Sequence, residues 1–243
     1  MKIAKTEVTL LDSCGSDLSV VNAARVSFEK ESEYVVVDPA VEMGLHKPMP
    51  ESHWGDTFYD PEWLDLSSAD KKLISYLARH KHTSPFNHCF ASFRVKAPIF
   101  VARQLVKHKF LPWNEVSRRY VDSEPEFFLP SSWRARADNV KQGSADTNVP
   151  FLTDPAQRAS ANAVMVYKML LEQGVCPEQA RMVLPQNTMT EWIWSGTLGA
   201  WADMCRLRLD PHSQKETREV AEKISTVMAD QFPVSWPALM EIK

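Results

Sequence analysis

The segment 104–120 (QLVKHKFLPWNEVSRRY) holds the densest group of side chains suited to binding an anionic ligand. Lysine and arginine donate charge-assisted hydrogen bonds to phosphate, and a serine hydroxyl adds a neutral donor. Amide and carboxylate groups can instead bind a ribose hydroxyl or the edge of a base. One polar anion, such as a nucleotide, would use all the polar residues of this segment, which are Lys107, His108, Lys109, Asn114, Glu115, Ser117, Arg118 and Arg119.

Two other interpretations of this segment stay open. Its cations fit the C-terminus of a helix, where positive charge offsets the helix dipole, followed by a solvated face. The aromatic residues Trp113 and Tyr120 also fit a platform for single-stranded nucleic acid. That platform is disfavoured because 28 Lys and Arg against 31 Asp and Glu give a net charge of −3, so the chain has no general basic field.

Three further positions are candidates for chemistry. Arg208 ends a predicted helix, from which a guanidinium can stabilise a carbonyl or a developing oxyanion, although it could equally pair with Asp210 as an ordinary helix-end cation. His82 is either a ligand-facing histidine or a plain surface residue. Cys176 lies at a predicted helix start, but no histidine is near it in sequence, so burial or helix capping is a simpler explanation than a nucleophilic thiolate.

Length and composition exclude several classes of protein. With 243 residues and 44% hydrophobic residues, the chain can bury a sizeable core and is not disordered throughout. It has neither a Gly-x-Gly-x-x-Gly nor a Walker A pattern. Its four cysteines form no Cys-x-x-Cys pair, so we expect no metal site. No secretory signal or membrane-spanning run is visible, and we therefore expect a cytoplasmic protein with reduced thiols and no membrane partner.

The elements that must position these residues follow from periodicity and capping signals. Strands are predicted near 7–11, 88–95 and 189–194, and a helix over 20–28 is entered from Asp17. The segment 30–66 is expected to be an irregular insertion and 133–154 a mobile loop. Strands and helices alternate without βαβ regularity, which predicts an α+β fold in a single domain over 1–243. The remaining predicted helices cover 72–80, 98–106, 156–173, 177–183, 196–206 and 212–231.

Several ordered blocks resemble the flavin-dependent thymidylate synthases. The blocks are 22–28 (NAARVSF), 83–86 (TSPF), 97–104 (APIFVARQ), 113–120 (WNEVSRRY), 179–185 (QARMVLP) and 207–214 (LRLDPHSQ). The family signature is Arg-His-Arg, seven residues and then Ser. This chain has Lys107-His108-Lys109, seven residues and then Ser117.

The resemblance implies reductive methylation of dUMP to dTMP without an enzyme cysteine nucleophile. Methylenetetrahydrofolate would supply the carbon, FAD the hydride and NADPH the electrons for the flavin. It also implies a mixed, mostly antiparallel sheet flanked by helices, of the thymidylate synthase-complementing type, in a homotetramer with shared active sites. Arg208 and His82 would act in catalysis, Arg208 as the catalytic arginine and His82 beside the flavin. The dUMP residues would be Gln104, Lys107, Glu115, Ser117, Arg118, Arg119, Arg181 and Arg208. The FAD residues would be Ser27, Ser84, Lys107, His108, Lys109, Glu115, Asp203 and His212.

Departures from the family pattern leave two alternatives open. Lysines replace both signature arginines, which keeps the charge but loses the bidentate fork. Near the end of the chain, Thr197, Gly199 and Asp203 replace residues expected on the FAD side. The chain could therefore be a pyrimidine nucleotide 5-hydroxymethyltransferase of the same fold, or an inactive relative that binds nucleotides.

Overall fold

The computed structural model describes residues 1–37, 64–138, 143–150 and 153–242. The chain divides into two compact units, one formed by Met1–Ser13 and Phe90–Met228 and the other by Cys14–Cys89 and Ala229–Lys243. We call them the sheet unit and the helical unit. Among the described residues, none of the helices combines the length and apolar character needed to cross a bilayer.

The described elements are numbered here in chain order. The strands are β1 (Lys2–Ile3), β2 (Glu7–Cys14), β3 (Val35–Val36), β4 (Leu64–Asp65), β5 (Phe90–Pro98), β6 (Trp113–Glu115), β7 (Glu126–Phe127), β8 (Trp133–Arg136), β9 (Ser144–Val149) and β10 (Met189–Thr197). The helices are α1 (Asp17–Arg25), α2 (Ser68–Arg79), α3 (Ile99–Leu105), α4 (Thr153–Glu172), α5 (Pro177–Ala180), α6 (Leu198–Arg208), α7 (Lys215–Gln231) and α8 (Ser235–Met240). Short 3₁₀ turns follow α1 and α5 and precede β5.

A four-stranded sheet in the order β2-β5-β10-β6 organises the sheet unit. β10 is its longest-paired strand, antiparallel to β5 from Met189↔Pro98 to Thr197↔Phe90 and antiparallel to β6 on its other side. A separate parallel pair joins β1 to β7. The predicted α+β class with mixed, mostly antiparallel sheets is therefore confirmed.

Aromatic side chains fill the space beneath this sheet. Alternate residues of β10 point inward, so Trp192 and Trp194 are almost fully buried. The Trp194 ring packs edge-on against Trp201 of α6 at 4.9 Å, and Trp201 packs against Phe93 of β5 at 5.0 Å. Trp113 of β6 stacks on Trp192 with ring centroids 4.2 Å apart. These contacts fix the starting points of the helices that leave the sheet.

Both central strands run directly into helices. Pro98 ends β5 and is the N-cap of α3, rather than lying in its first turn as predicted. Thr197 ends β10, and its hydroxyl accepts a hydrogen bond from the Ala200 amide at 3.3 Å as the N-cap of α6. The C-terminal ends of α3 and α6 carry Gln104 and Arg208, so the sheet sets the positions of both.

The predicted loop over 133–154 is wrong for most of its length. β8 and β9 form an antiparallel hairpin with a register shift between Arg134 and Arg136, and α4 begins at Thr153. Arg134 anchors this hairpin because its guanidinium bonds both the buried carboxylate of Glu216 and the Ser144 hydroxyl. Glu216 lies 82 residues from Arg134 in the sequence, so composition alone did not reveal this anchor.

The helical unit packs α2 against α1 and α8. Its buried carboxylates serve as caps and anchors: Asp17 accepts the Val234 and Ser235 amides, each at 2.8 Å. Burial acts to raise the pKa of Asp70, but hydrogen bonds from Ser67, Arg25 and Ser32 outweigh it and hold that pKa below its usual value.

The other predicted elements lie close to their expected positions. The predicted strands near 7–11, 88–95 and 189–194 and the predicted helices all have counterparts, with boundaries shifted by a few residues. Of the predicted irregular insertion 30–66, the described ends pair as β3 and β4, and 38–63 lies outside the described residues. The single-domain organisation stays a prediction.

Candidate functional site

Arg208 is held at the C-terminus of α6 by two acceptors from the α3 region. Its Nε donates to Nε2 of His108 at 3.0 Å, and its Nη2 donates to the main-chain carbonyl of Gln104 at 2.7 Å. Asp210, the pairing partner that the sequence suggested, instead accepts the main-chain N–H of His212 at 2.7 Å. The guanidinium is thus aimed by two neutral acceptors, and within the described part of the chain it forms no ion pair with a carboxylate.

His108 is uncharged at neutral pH. Burial, reinforced by the positive charge of Arg208, lowers the pKa of His108 to about 4, and Asp203 opposes this only weakly. A neutral imidazole has one acceptor nitrogen, and the Arg208 contact uses it. Burial also lowers the pKa of Arg208, but an arginine in this setting stays protonated.

Arg208 and Gln104 line an open cleft of about 580 Å³, which we call the Arg208 cleft. In this cleft the Arg208 guanidinium can stabilise negative charge on a carbonyl oxygen, and the side-chain amides of Gln104 and Gln214 can orient a heterocycle. Motif reasoning assigned Gln104, Arg208 and His212 to a site but missed Arg134 and Gln214. The full lining is Gln104, Arg134, Gly143, Ser144, Arg208, His212 and Gln214.

A second cleft of about 690 Å³ gathers Arg103, Arg118 and Arg181 with Glu115, and we call it the three-arginine cleft. The Glu115 carboxylate accepts hydrogen bonds from Thr190 at 2.8 Å and from the Trp113 indole at 3.1 Å, which fixes it at the end of β6. The lining also holds Lys2, Lys96 and three further glutamates, so its charges are mixed, but three guanidinium groups in one cleft can bind a phosphate. Sequence reasoning missed Arg103, which precedes Gln104 but lines this other cleft.

The helical unit contains a third cleft of about 830 Å³, which we call the His82 cleft. It brings together three residues that the resemblance placed near FAD, Ser27, His82 and Ser84. The ring of Tyr76 lies 6.1 Å from that of His82. Hydroxyl donors, aromatic faces and the nearby cation Lys30 fit a ligand that has both a flat ring system and a diphosphate.

Some predicted site residues line none of these three clefts. Lys107 and Lys109 are exposed on either side of His108. Ser117 and Arg119 form a turn in which the Arg119 guanidinium contacts the Tyr120 ring.

The structure also gives the surroundings of two other residues that the sequence singled out, Asp203 and Cys176. The Asp203 carboxylate is paired with Arg206 one turn later. Cys176 is exposed, so the burial interpretation is wrong, and although it occupies the N-cap position of α5 its side chain makes no capping hydrogen bond there.

Residues 9–234 match the family model described as thymidylate synthase complementing protein. The chain belongs to this family, that of the flavin-dependent thymidylate synthases. It is 35% identical over 238 residues to the flavin-dependent thymidylate synthase of Thermus thermophilus, covering 96% of this chain and 75% of that protein. It is 33% identical over 236 residues to the enzyme of the same name from Thermosipho melanesiensis, covering 96% of this chain and 89% of that protein.

A solved structure agrees with this assignment. The UMP/dUMP methylase PolB from Streptomyces cacaoi, bound with 5-Br dUMP, superposes with a TM-score of 0.75 at 30% identity, covering 100% of this chain and 98% of that one. A second structure of PolB, bound with 5-Br UMP, gives a TM-score of 0.73 at 29% identity. Family membership thus extends over both units.

Proposed function

We propose that this chain methylates dUMP to dTMP reductively, with methylenetetrahydrofolate as the carbon donor, FAD as the hydride carrier and NADPH as the reductant. Membership of the flavin-dependent thymidylate synthase family supports the proposal. The observation that carries it is the Arg208 guanidinium, aimed into an open cleft by a neutral histidine and a main-chain carbonyl. We place this chemistry in the cytoplasm.

Arg208 is proposed as the catalytic residue. C5 of uracil is a weak carbon nucleophile, and it becomes a stronger one when the ring carries negative charge delocalised over N3 and the ring carbonyls. A guanidinium already fixed beside those carbonyls stabilises that charge without reorganisation.

A cysteine route is disfavoured on the same helix. The Cys205 thiol is buried, its Sγ contacts the Ala221 carbonyl at 3.7 Å, and burial raises its pKa. Cys205 therefore cannot supply the thiolate that attack on a pyrimidine ring would need.

FAD, when bound, would supply the redox chemistry. In the helical unit, Ser27 and Ser84 would hold it by hydroxyl donors, with the rings of Tyr76 and His82 offering flat contacts. In the sheet unit, His108 would offer an uncharged imidazole, whereas the Asp203 charge is offset by Arg206. The His82 imidazole would then act beside the flavin ring, as the family resemblance implies.

The phosphate of dUMP would lie in the three-arginine cleft. That cleft and the Arg208 cleft share no lining residue, although both belong to the sheet unit. We therefore propose that one active site takes the two clefts from different copies of the chain, in a homotetramer. This arrangement uses Gln104 and Arg208 for the uracil ring, and Glu115, Arg118 and Arg181 for the ribose phosphate.

Mixing two inactive variants tests the shared site. Arg181→Ala and Arg208→Ala, each nearly inactive alone, should regain activity after co-refolding, because about a quarter of randomly assembled sites receive both intact residues. If each site lay within one chain, every site would stay defective and the mixture would remain inactive.

Absorbance and turnover test the reaction itself. The purified protein with added FAD should show a flavin spectrum and should oxidise NADPH faster when dUMP is present. Arg208→Ala should mainly lower turnover, whereas Arg118→Ala, in the three-arginine cleft, should mainly weaken dUMP binding. Protein that never binds FAD would refute the proposal.

The match to PolB favours a second candidate substrate, UMP, because PolB is described as a UMP/dUMP methylase and aligns with the whole chain. Parallel assays with UMP and dUMP distinguish the two. Mass spectrometry of each product separates methyl from hydroxymethyl, which carries one more oxygen, and so also tests the 5-hydroxymethyltransferase alternative.

A further inference from the structure

A continuous chain of hydrogen bonds runs from the Arg208 cleft to a buried carboxylate. Nε2 of Gln104 donates to Oε1 of Gln214 at 2.6 Å, and Nε2 of Gln214 donates to Oε2 of Glu216 at 3.0 Å. Glu216 is 6% exposed and is paired with Arg134 at 2.9 Å. The chain thus begins at a cleft residue and ends at an ion pair under the β8–β9 hairpin.

The carboxylate sets the direction of both amides. An ionised carboxylate only accepts hydrogen bonds, so Gln214 must turn its NH₂ group toward Glu216. Its carbonyl is then left to accept from the NH₂ group of Gln104. The group that remains for a ligand on Gln104 is the carbonyl Oε1, for which the described residues provide no hydrogen-bond donor.

The middle of the chain is held by the backbone. The main-chain carbonyl of Gln214 accepts the main-chain N–H groups of Thr217 and Arg218 at 3.0 and 2.9 Å, which begins helix α7. The backbone of Gln214 is therefore fixed independently of the side chains that Gln214 orients. Its two hydrogen-bond partners are also held in place: Gln104 belongs to helix α3, and Glu216 is paired with Arg134.

We propose that Gln214 and Glu216 are positioning residues that hold Gln104 as a hydrogen-bond acceptor beside the Arg208 donors, and that this pattern selects uracil over cytosine. Uracil presents an N3–H donor flanked by two carbonyl acceptors, which matches one acceptor beside a guanidinium. Cytosine presents an unprotonated N3 acceptor, which would face the Gln104 carbonyl unpaired. This inference rests on the proposed function, because it assumes that the Arg208 cleft receives the pyrimidine.

Binding of dUMP and dCMP to the purified full-length protein tests the inference. We expect wild type to prefer dUMP. Gln214→Leu, which leaves the Arg134–Glu216 pair intact, should free Gln104 to rotate and should lower the ratio of the two dissociation constants about tenfold. Glu216→Gln should act in the same direction, since glutamine can donate as well as accept.

Thr226→Ala is the matched control, because it removes a 3.0 Å side-chain hydrogen bond to the Glu222 carbonyl on the same helix α7 and lines none of the three clefts. It should keep the wild-type preference. An equal loss in Thr226→Ala, or an unchanged preference in Gln214→Leu, would overturn the positioning role and leave the proposed function standing. Wild type that binds neither nucleotide would overturn both. If Glu216→Gln fails to fold, Gln214→Leu alone decides.

Discussion

Protonation of His108 should destabilise the fold as the pH falls. In the folded chain the pKa of His108 is lowered from 6.5 to about 4, first by burial and then by Arg208, whose Nε–H needs the imidazole as acceptor. The unfolded chain therefore takes up this proton at a higher pH than the folded chain. The contribution of His108 to the free energy of unfolding is complete above pH 6.5 and is lost progressively down to about pH 4.

The size of this loss follows from the shift. At 1.36 kcal/mol per pH unit, the interval from 6.5 to about 4 would correspond to about 3.4 kcal/mol. Because the imidazole is only partly buried, solvent screens part of this interaction, and we expect a loss of about 1–2 kcal/mol.

Urea denaturation of wild type and His108→Gln at pH 7.5 and pH 5 measures this loss in the free energy of unfolding. The glutamine carbonyl can accept the Arg208 Nε–H but does not titrate, so the variant should lose less stability than wild type on acidification. The comparison between the two proteins cancels the carboxylates that titrate in the same range. Equal losses in both proteins would refute the role given to His108.

Three further changes have expected outcomes. Gly196→Ala should lower the free energy of unfolding by about 1–3 kcal/mol, because its new Cβ would lie 2.3 Å from Cδ2 of Leu111; an unchanged urea midpoint would contradict this packing. Asp17→Ala should cost about 2–3 kcal/mol by leaving two amides without their acceptor, and a thermal melt that matches wild type would rule that cap out. The buried thiols Cys89 and Cys205 should resist a thiol reagent at pH 8 until the chain unfolds, since burial raises the pKa of Cys89 to about 11 and also raises the pKa of Cys205 well above its usual value; rapid labelling of the native protein would disprove it.

Local sequence predicted most of the helices and strands because their signals are local. For example, the Ser67 hydroxyl accepts the Asp70 amide at the start of α2, and Gly174 follows α4 with a positive φ of 82°. The β8–β9 hairpin was missed because a carboxylate distant in sequence, that of Glu216, anchors it. The sheet order β2-β5-β10-β6 likewise depends on long-range pairing that no segment encodes alone.

The candidate site shows the same difference between local signals, which the sequence reveals, and long-range contacts, which it does not. The residue types of Arg208 and His82 could be picked out from motifs. The partner of Arg208 could not, because His108 lies 100 residues earlier in the chain and its contact depends on how β5 and β10 deliver their helices. Gln214 lies inside a recognised block, yet its link to Gln104 spans 110 residues and has no sequence signal.

Helix α3 contributes residues to both the three-arginine cleft and the Arg208 cleft. Arg103 and Gln104 are consecutive residues of this seven-residue helix, yet they line different clefts, and the Gln104 carbonyl also holds Arg208. A shift of α3 that tightens the grip on a ligand on one side must alter the geometry on the other. Binding at the two places is then thermodynamically linked, and each ligand changes the affinity for the other by the same factor. If the two clefts serve different active sites of an assembly, this short helix gives those sites a direct means of cooperativity.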